Sequence, residues 1–433
     1  MIKSNNLFLY PIKKIQIETK IFMKYLLLAV CLFIISTSTF SQSRAYVVLM
    51  DDSFENPIRK SRNNNQNRGE QEVQNKSQRD TKLSKIDNFL TAKGIITSQN
   101  KRFVDAGVGF IANLTSDQVN NLQQDPNVKG VFEDFTMQTR ARMQTRARMQ
   151  GETMESDLLY DYATKSSCAV NLVGSSQSAR NRSTSIWILD SGIDANHVDL
   201  NVNPSQRFST SFVDGDADPF VDYVGHGTHC AGLAAGNGQG NPGVNGVSAG
   251  ADLISVKVLD SQGVGTWSSL ILALDHVEKF GVAGDVVLMS LGGYGFDNCA
   301  NSDPVLGEVI RDLGGKGIFM VMSAGNDQGQ SSLNLPGCID GPNIFTVSSY
   351  DFNCEGFTQF TTTANFGIPS VDWVAPGENV FSSYPGNRYA TMSGTSMSAA
   401  LVAGLIHSRG GAPADSRRES YQGITYPLQG DRS

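Results

Sequence analysis

Four residues stand in the order Asp190, His226, Asn326 and Ser396, each close to a glycine and each of a type that takes part in acyl transfer. Ser396 follows the polar turn Ser393-Gly394-Thr395 and leads into the small, apolar segment Met397 to Ile406. That pattern puts it at a helix start, where unpaired N–H groups and the helix dipole favour negative charge. A serine oxygen so placed can become an acyl-enzyme, and its own N–H can help to hold the oxyanion. Alone, Gly-x-Ser more often marks an ordinary N-cap.

His226 lies in Gly-His-Gly-Thr-His-Cys-Ala-Gly, residues 225–232. Two histidines three apart suggest metal ligands, but the glutamate of a zinc-protease helix is missing. The flanking glycines suit a histidine at a helix start approached by other backbone, which makes His226 the general base and His229 a structural residue. Asp190 ends the apolar run Ile186 to Leu189. A carboxylate there accepts from an imidazole Nδ1–H and fixes its tautomer, although a lone Asp after a strand is usually a turn residue. Asn326 closes Met322-Ser323-Ala324-Gly325-Asn326, where its amide is a suitable donor to an oxyanion.

The elements that must position these side chains follow from the alternation of β-rich and helical runs after about Ser183, the mark of a parallel sheet. Strands are predicted at Ser185–Leu189, Leu253–Leu259, Val286–Ser290, Ile318–Ser323 and Ile344–Ser348. Helices are predicted at Gly227–Ala235, Trp267–Phe280 with Thr266 as cap, Pro304–Leu313 and Met397–Ile406. Near-continuous apolar strands imply burial on both faces, and sites in such sheets form at the carboxyl ends of the strands.

Asp-Ser-Gly-Ile, His-Gly-Thr-His-Cys-Ala-Gly, Ser-Leu-Gly-Gly, Ser-Ala-Gly-Asn and Gly-Thr-Ser-Met-Ser occur in this order. With the Asp…His…Ser succession, the chain resembles the subtilisin-family serine proteases, nearest their proteinase K-like branch, over about residues 183–406. The resemblance implies an α/β, three-layer fold with a parallel central sheet, preceded by a small α+β propeptide domain. It makes Ser396 the nucleophile, His226 the base, Asp190 its orienting partner and Asn326 the oxyanion donor. Ser290-Leu291-Gly292 and Gly263-Val264-Gly265 become the two strands that bind a peptide as an added β-strand, though such glycines also suit plain turns. Family members bind calcium, and the matching oxygens belong to Asp372, Pro342 and Ile344; no cofactor is expected for catalysis. Two departures stand out: Ala400 replaces the proline usual after the serine, and from Ser408 the apolar periodicity that normally continues disappears.

Upstream, residues 42–137 resemble the family's inhibitory propeptide through Tyr46-Val47-Val48-Leu49, Leu114-Thr115-Ser116-Asp117-Gln118 and Asp125-Pro126-Asn127-Val128. Helices are predicted at Leu83–Leu90 and Thr115–Leu122, strands at Ala45–Met50, Ala106–Ala112 and Val128–Phe132, and a disordered insertion at Arg59–Lys82. Residues 1–41 read as a signal peptide, with Leu26 to Ile35 as its apolar run and Met23 as the natural start. The segment 138–182 is the processing linker and start of the mature chain, 183–407 the catalytic domain and 408–433 an atypical polar tail. Met-Gln-Thr-Arg-Ala-Arg occurs twice in tandem from Met137, which suits either a processing site or a duplication in a tolerant linker.

A net charge of −7 and the lack of a basic patch exclude a nucleic-acid binder. Once the signal is gone no stretch is long enough for a membrane helix. Five cysteines remain after Cys31, so one or two disulfides with a free thiol are expected, Cys230 being the free one. The reading is a monomeric serine endopeptidase, secreted to the exterior or periplasm, acting on proteins or peptides and inhibited by its own propeptide. The alternatives are a catalytically inactive secreted peptide binder or truncated protein, and a metal hydrolase using His226 and His229.

Overall fold

The computed structural model describes residues 43–54, 68–139, 141–143, 159–294, 304–412, 417–421 and 424–428. The apolar run at 26–35 and residues 144–158 of the linker lie outside them. At the centre is a twisted sheet whose strands follow the order Thr210–Ser211, Asp252–Lys257, Ser185–Asp190, Val286–Met289, Phe319–Ser323, Ile344–Asn353 and Trp373–Pro376. All these neighbours pair in parallel. Successive residues of each strand point to opposite faces. Ile186, Ile188, Val286 and Leu288 thus meet the helices His226–Ala235 and Thr395–Arg409, while Trp187, Leu189, Val287 and Met289 meet Trp267–Phe280 and Pro304–Gly315. Two apolar faces with helices on each give three layers. The five predicted strands and four predicted helices all form, with ends shifted by a few residues.

The N-terminal unit is an antiparallel sheet ordered Arg102–Phe103, Gly109–Leu114, Arg44–Met50 and Val128–Glu133. Its Val48, Met50 and Phe110 face its own helices, packing on Ile86, Phe89, Leu90 and Leu122. Val47, Leu49 and Ile111 face the other way, onto Trp267–Phe280 of the larger domain. Thr115 caps Ser116–Gln123 through a reciprocal capping box with Gln118.

Two expectations need correction here. Residues 68–82 are not a disordered insertion but the first part of one helix, Arg68–Lys93. Their Lys, Arg, Glu and Gln are good helix formers, and tertiary anchors hold the turns: Arg79 pairs with Asp105, and Lys82 Nζ donates to Val104 O at 2.9 Å. The strand expected at Ala106–Ala112 runs instead from Gly109 to Leu114. The N–H groups of Val104, Asp105 and Ala106 all donate to Asp275 Oδ1, at 2.6–3.0 Å, so they are lost to sheet pairing.

The polar tail is not devoid of packed structure. Ile424–Leu428 joins the central sheet beside Trp373–Pro376, and Arg417–Tyr421 pairs antiparallel with it. Tyr426 is fully buried, and its hydroxyl accepts from Gly367 N at 2.7 Å. Tyr421 stacks on Phe360 with ring centroids 4.3 Å apart. The apolar contact of this hairpin comes from Tyr421, Ile424 and Tyr426, too few and too unevenly spaced for a periodicity to reveal it. Truncating a buried aromatic residue typically costs about 3–5 kcal/mol, so Tyr426→Ala should lower stability by about that amount. Urea unfolding in a Ser396→Ala background measures it, and a loss under about 1 kcal/mol would mean the hairpin contributes little.

Candidate active site

Asp190 is the last residue of its strand and is 1% exposed. Both its oxygens lie 2.9 Å from His226 Nδ1, and Oδ1 also accepts from Ser191 N at 2.7 Å. Since a carboxylate only accepts, Nδ1 carries the proton and Nε2 is left free as a base. His226 opens its helix after Gly225, whose φ is 85°. A side chain at Gly227 would collide with the carbonyl oxygen of Gly192, so only glycine lets this helix start reach the turn after Asp190.

A second buried carboxylate, Asp222, binds the two segments together and was not singled out in the sequence. Its Oδ1 accepts from Ser191 Oγ at 2.9 Å and Gly225 N at 2.7 Å, and its Oδ2 from Thr228 N and Oγ1. Its only sequence signal is an Asp four residues before the histidine, a weak one.

Ser396 lies in the first turn of Thr395–Arg409 and is 2% exposed. Its Oγ donates to Ser290 O at 3.3 Å, whereas the polar contacts of the His226 ring go to Asp190 and Cys230. A rotation of the serine hydroxyl is therefore needed before His226 can take its proton. The Asn326 amide is fixed by its oxygen, which accepts from Thr395 N at 3.0 Å, so its Nδ2 is the donor turned elsewhere. Gly394 is where a backbone must come close: a Cβ there would lie 3.2 Å from Asn326 Nδ2 and 3.5 Å from Ala141 Cα.

The cleft holds the chain's own residues 135–139 and 141–143. Thr136–Gln138 pairs antiparallel with Val264–Thr266. Gln138 exchanges both backbone hydrogen bonds with Gly292, at 3.0 and 3.2 Å, and Thr139 N donates to Gly263 O at 3.2 Å. Beyond Ala141, Arg142–Met143 pairs with Met392 and Ser393. The two predicted peptide-binding strands thus hold one segment between them, and Ser290, Leu291, Gly292, Asn326 and Ser396 line the pocket beside Gln138. Outside the cleft, Asp134 Oδ1 accepts from Ser268 N at 2.9 Å, at the N-terminus of Trp267–Phe280.

His229 is fully buried three residues after His226, and its Nε2 lies 3.1 Å from Val380 O and 3.2 Å from Ala390 O. Burial lowers its pKa to about 3. It is a neutral strut that donates to these carbonyls, so it does not join His226 at a metal. Among the described residues, the metal-capable trio is Asp190, His226 and Cys230, whose Nδ1–Oδ contacts are those of the base and its partner. Cys230 is free and buried, 3.9 Å from His226 Nε2. Cys168 is bonded to Cys354, and Cys338 is also in a disulfide. Asp372 Oδ2 accepts from Thr346 N at 2.7 Å, Ile344 begins the adjacent strand, and Pro342 precedes it by two residues. Burial, reinforced by the charge of Asp340, pushes Asp372 up to about 7.

A sequence profile of the subtilase family matches residues 181–407, just over half of the chain. The chain belongs to the subtilase family. Its residues 45–140 match the peptidase inhibitor I9 profile, so the subtilase domain is preceded by a propeptide inhibitor domain. The subtilase is 36% identical over 232 residues to an intracellular serine protease of Paenibacillus polymyxa, covering 52% of this chain and 66% of that protein. Thermitase of Thermoactinomyces vulgaris is 35% identical over 235 residues, 54% of this chain and 77% of that one. The subtilisin-like serine protease Pen ch 13 of Penicillium rubens is 32% identical over 318 residues, 72% of each chain.

The His226 environment fixes a pH dependence. Burial by itself lowers the imidazole pKa, but the Asp190 charge and hydrogen bond more than offset it, leaving the group well above 6.5 with the cleft occupied. The base works only when neutral, so peptide-bond hydrolysis through Ser396 should rise with pH through a midpoint above 6.5. Replacing Asp190 by Asn should slow it by about 10⁴-fold and move the midpoint down. A wild-type rate already at its plateau by pH 6 would contradict this assignment.

Proposed function

We propose that this subtilase is a secreted serine endopeptidase made as a zymogen that cleaves itself, and that it then acts on proteins or peptides as a monomer. The observation that carries the reading is the position of Ala141, held over Gly394 beside Asn326 Nδ2, between segments paired on both sides of Ser396. In this reading Ser396 Oγ attacks the carbonyl carbon of the bond preceding Ala141 while His226 Nε2 takes its proton. Asn326 Nδ2 and the Ser396 N–H receive the developing negative oxygen. His226 then returns the proton to the departing Ala141 amine, and water hydrolyses the acyl-enzyme.

Export is supported by the apolar run 26–35 and by the Cys168–Cys354 disulfide, a bond of oxidising compartments. No helix among the described residues is long and apolar enough to cross a membrane. Within the family, His226-Gly-Thr-His-Cys230 supports a place near the proteinase K-like branch. A second reading, an inactive peptide binder, is favoured by the Ser396 hydroxyl being bonded to Ser290 rather than to His226.

Fluorophosphonate labelling of the secreted protein separates the two. Label on Ser396, loss of the N-terminal domain, and a Ser396→Ala control that stays full length are the expected results. Asn326→Ala should lower kcat by about 10²–10³-fold, the value known for removing an oxyanion donor from subtilisin. An unlabelled, uncleaved wild type would favour the inactive binder.

Calcium is the structural ion we propose, held by Asp372 with backbone oxygens of Pro342 and Ile344. The carboxyl is half-buried, has a like-charged neighbour and forms no ion pair among the described residues, which is the hard-oxygen chemistry calcium uses. Calcium should raise the melting temperature of the Ser396→Ala protein, and Asp372→Asn should abolish that rise; an equal rise in both would remove the site.

A further inference from the structure

We infer that the tandem Met-Gln-Thr-Arg-Ala-Arg is a duplicated cleavage sequence, so that the protease cuts its own chain twice, first before Ala141 and then before Ala147. The inference rests on the self-processing reading above and adds a second substrate for the same cleft.

Of the first copy, residues 137–142, the described residues 137–139, 141 and 142 lie in the cleft. Met137 is 1% exposed, within the apolar cluster of Leu259, Trp267 and Leu291, and a Cβ on Gly265 would approach its terminal methyl at 3.0 Å. Gln138 is bonded through both its N–H and C=O to Gly292, and Thr139 through its N–H to Gly263. Ala141 brings its Cα over Gly394 and packs its methyl on the apolar cluster of Ala399 and Ala400, and Arg142 pairs with Ser393. Every one of these contacts uses main-chain atoms or the methionine and alanine side chains. Residues 143–148 repeat the same six residues in the same order. A shift of the chain by six residues therefore restores each contact, with Met143 in the place of Met137 and Ala147 in the place of Ala141.

The first cut leaves a mature chain that begins Ala141-Arg142-Met143-Gln144-Thr145-Arg146-Ala147. The second cut consumes one water, breaks the Arg146–Ala147 amide and leaves a carboxylate on Arg146 and an amine on Ala147. The hexapeptide Ala-Arg-Met-Gln-Thr-Arg is released. The contacts that deliver the first copy from the propeptide, such as Trp267 N to Phe135 O and Ser268 N to Asp134, have no equivalent in this step. The second cut is accordingly the slower one.

A time course of intact mass and N-terminal sequence on the secreted protein tests this. An Ala141 terminus should appear first and give way to Ala147, with the hexapeptide in the medium. Gln144→Pro removes the N–H that corresponds to the Gln138 donor and should leave Ala141 as the lasting terminus. The mature enzyme should also cut a synthetic peptide of residues 141–150 after Arg146, a measurement independent of how the variant folds. A lasting Ala141 terminus in the wild type would overturn the second cut while leaving self-processing intact. A precursor as uncut as Ser396→Ala would overturn self-processing itself. Conversion to Ala147 in Gln144→Pro would overturn recognition of the repeat.

Discussion

A carboxylate held 1% exposed at the end of a central strand is unfavourable unless its lone pairs are used, and Asp190 uses them on Ser191 and on the imidazole of His226. This one contact sets the tautomer of the base, the direction of Nε2 and the place where the helix bearing it must begin. The rest of the domain supports that contact. Ser185–Asp190 is clamped between two parallel neighbours, so its end has little freedom. Asp222 ties the following turn to the helix start through five groups of Ser191, Val224, Gly225 and Thr228. Burial raises the pKa of Asp222, and the hydrogen bonds from Thr228 and Gly225 partly restore its charge.

The propeptide docks by the same physics, used from outside. One of its carboxylates, Asp134, accepts from a helix N-terminus of the catalytic domain. In the reverse sense, three propeptide N–H groups converge on Asp275 of that helix, which burial pushes up to about 6 against those hydrogen bonds and the Arg79 charge. An apolar sheet face covers the same helix between these polar points. The inhibitor strand in the cleft is thus the end of a broad contact and is aimed by it.

Much of this was legible in the sequence because the chemistry leaves short, local signatures. Glycines beside His226 and Ser396, and an aspartate closing Ile186–Leu189, follow from close approach and strand ends. Thr266 as a cap and the apolar periodicity of Trp267–Phe280 gave a helix with matching ends. What stayed hidden depends on distant partners. Arg68–Lys93 is a helix because its polar turns reach Val104 and Asp105. The strand at Gly109 starts late because of Asp275, far along the chain. The hairpin Val380–Tyr384 with Arg388–Ser393, which leads into Ser396, is polar in sequence yet buried, since Ser382 and Ser383 bond to carbonyls of His229 and Thr228. Hydropathy patterning does not register a buried serine whose partner is backbone.

A parallel sheet has to end somewhere, and a bare outer strand offers its unpaired N–H and C=O groups to any other chain. On this side of the molecule the last parallel strand, Ile424–Leu428, is covered by an antiparallel one, Arg417–Tyr421. The outermost sequence is Arg-Arg-Glu-Ser-Tyr. Charge in an edge strand's sequence is one of the features that discourage edge-to-edge pairing. A chain ending before Arg417 would expose Trp373–Pro376, four buried and largely apolar residues, as the border of the sheet. The tail hairpin therefore makes an interior strand of a segment that would otherwise be an apolar sheet border.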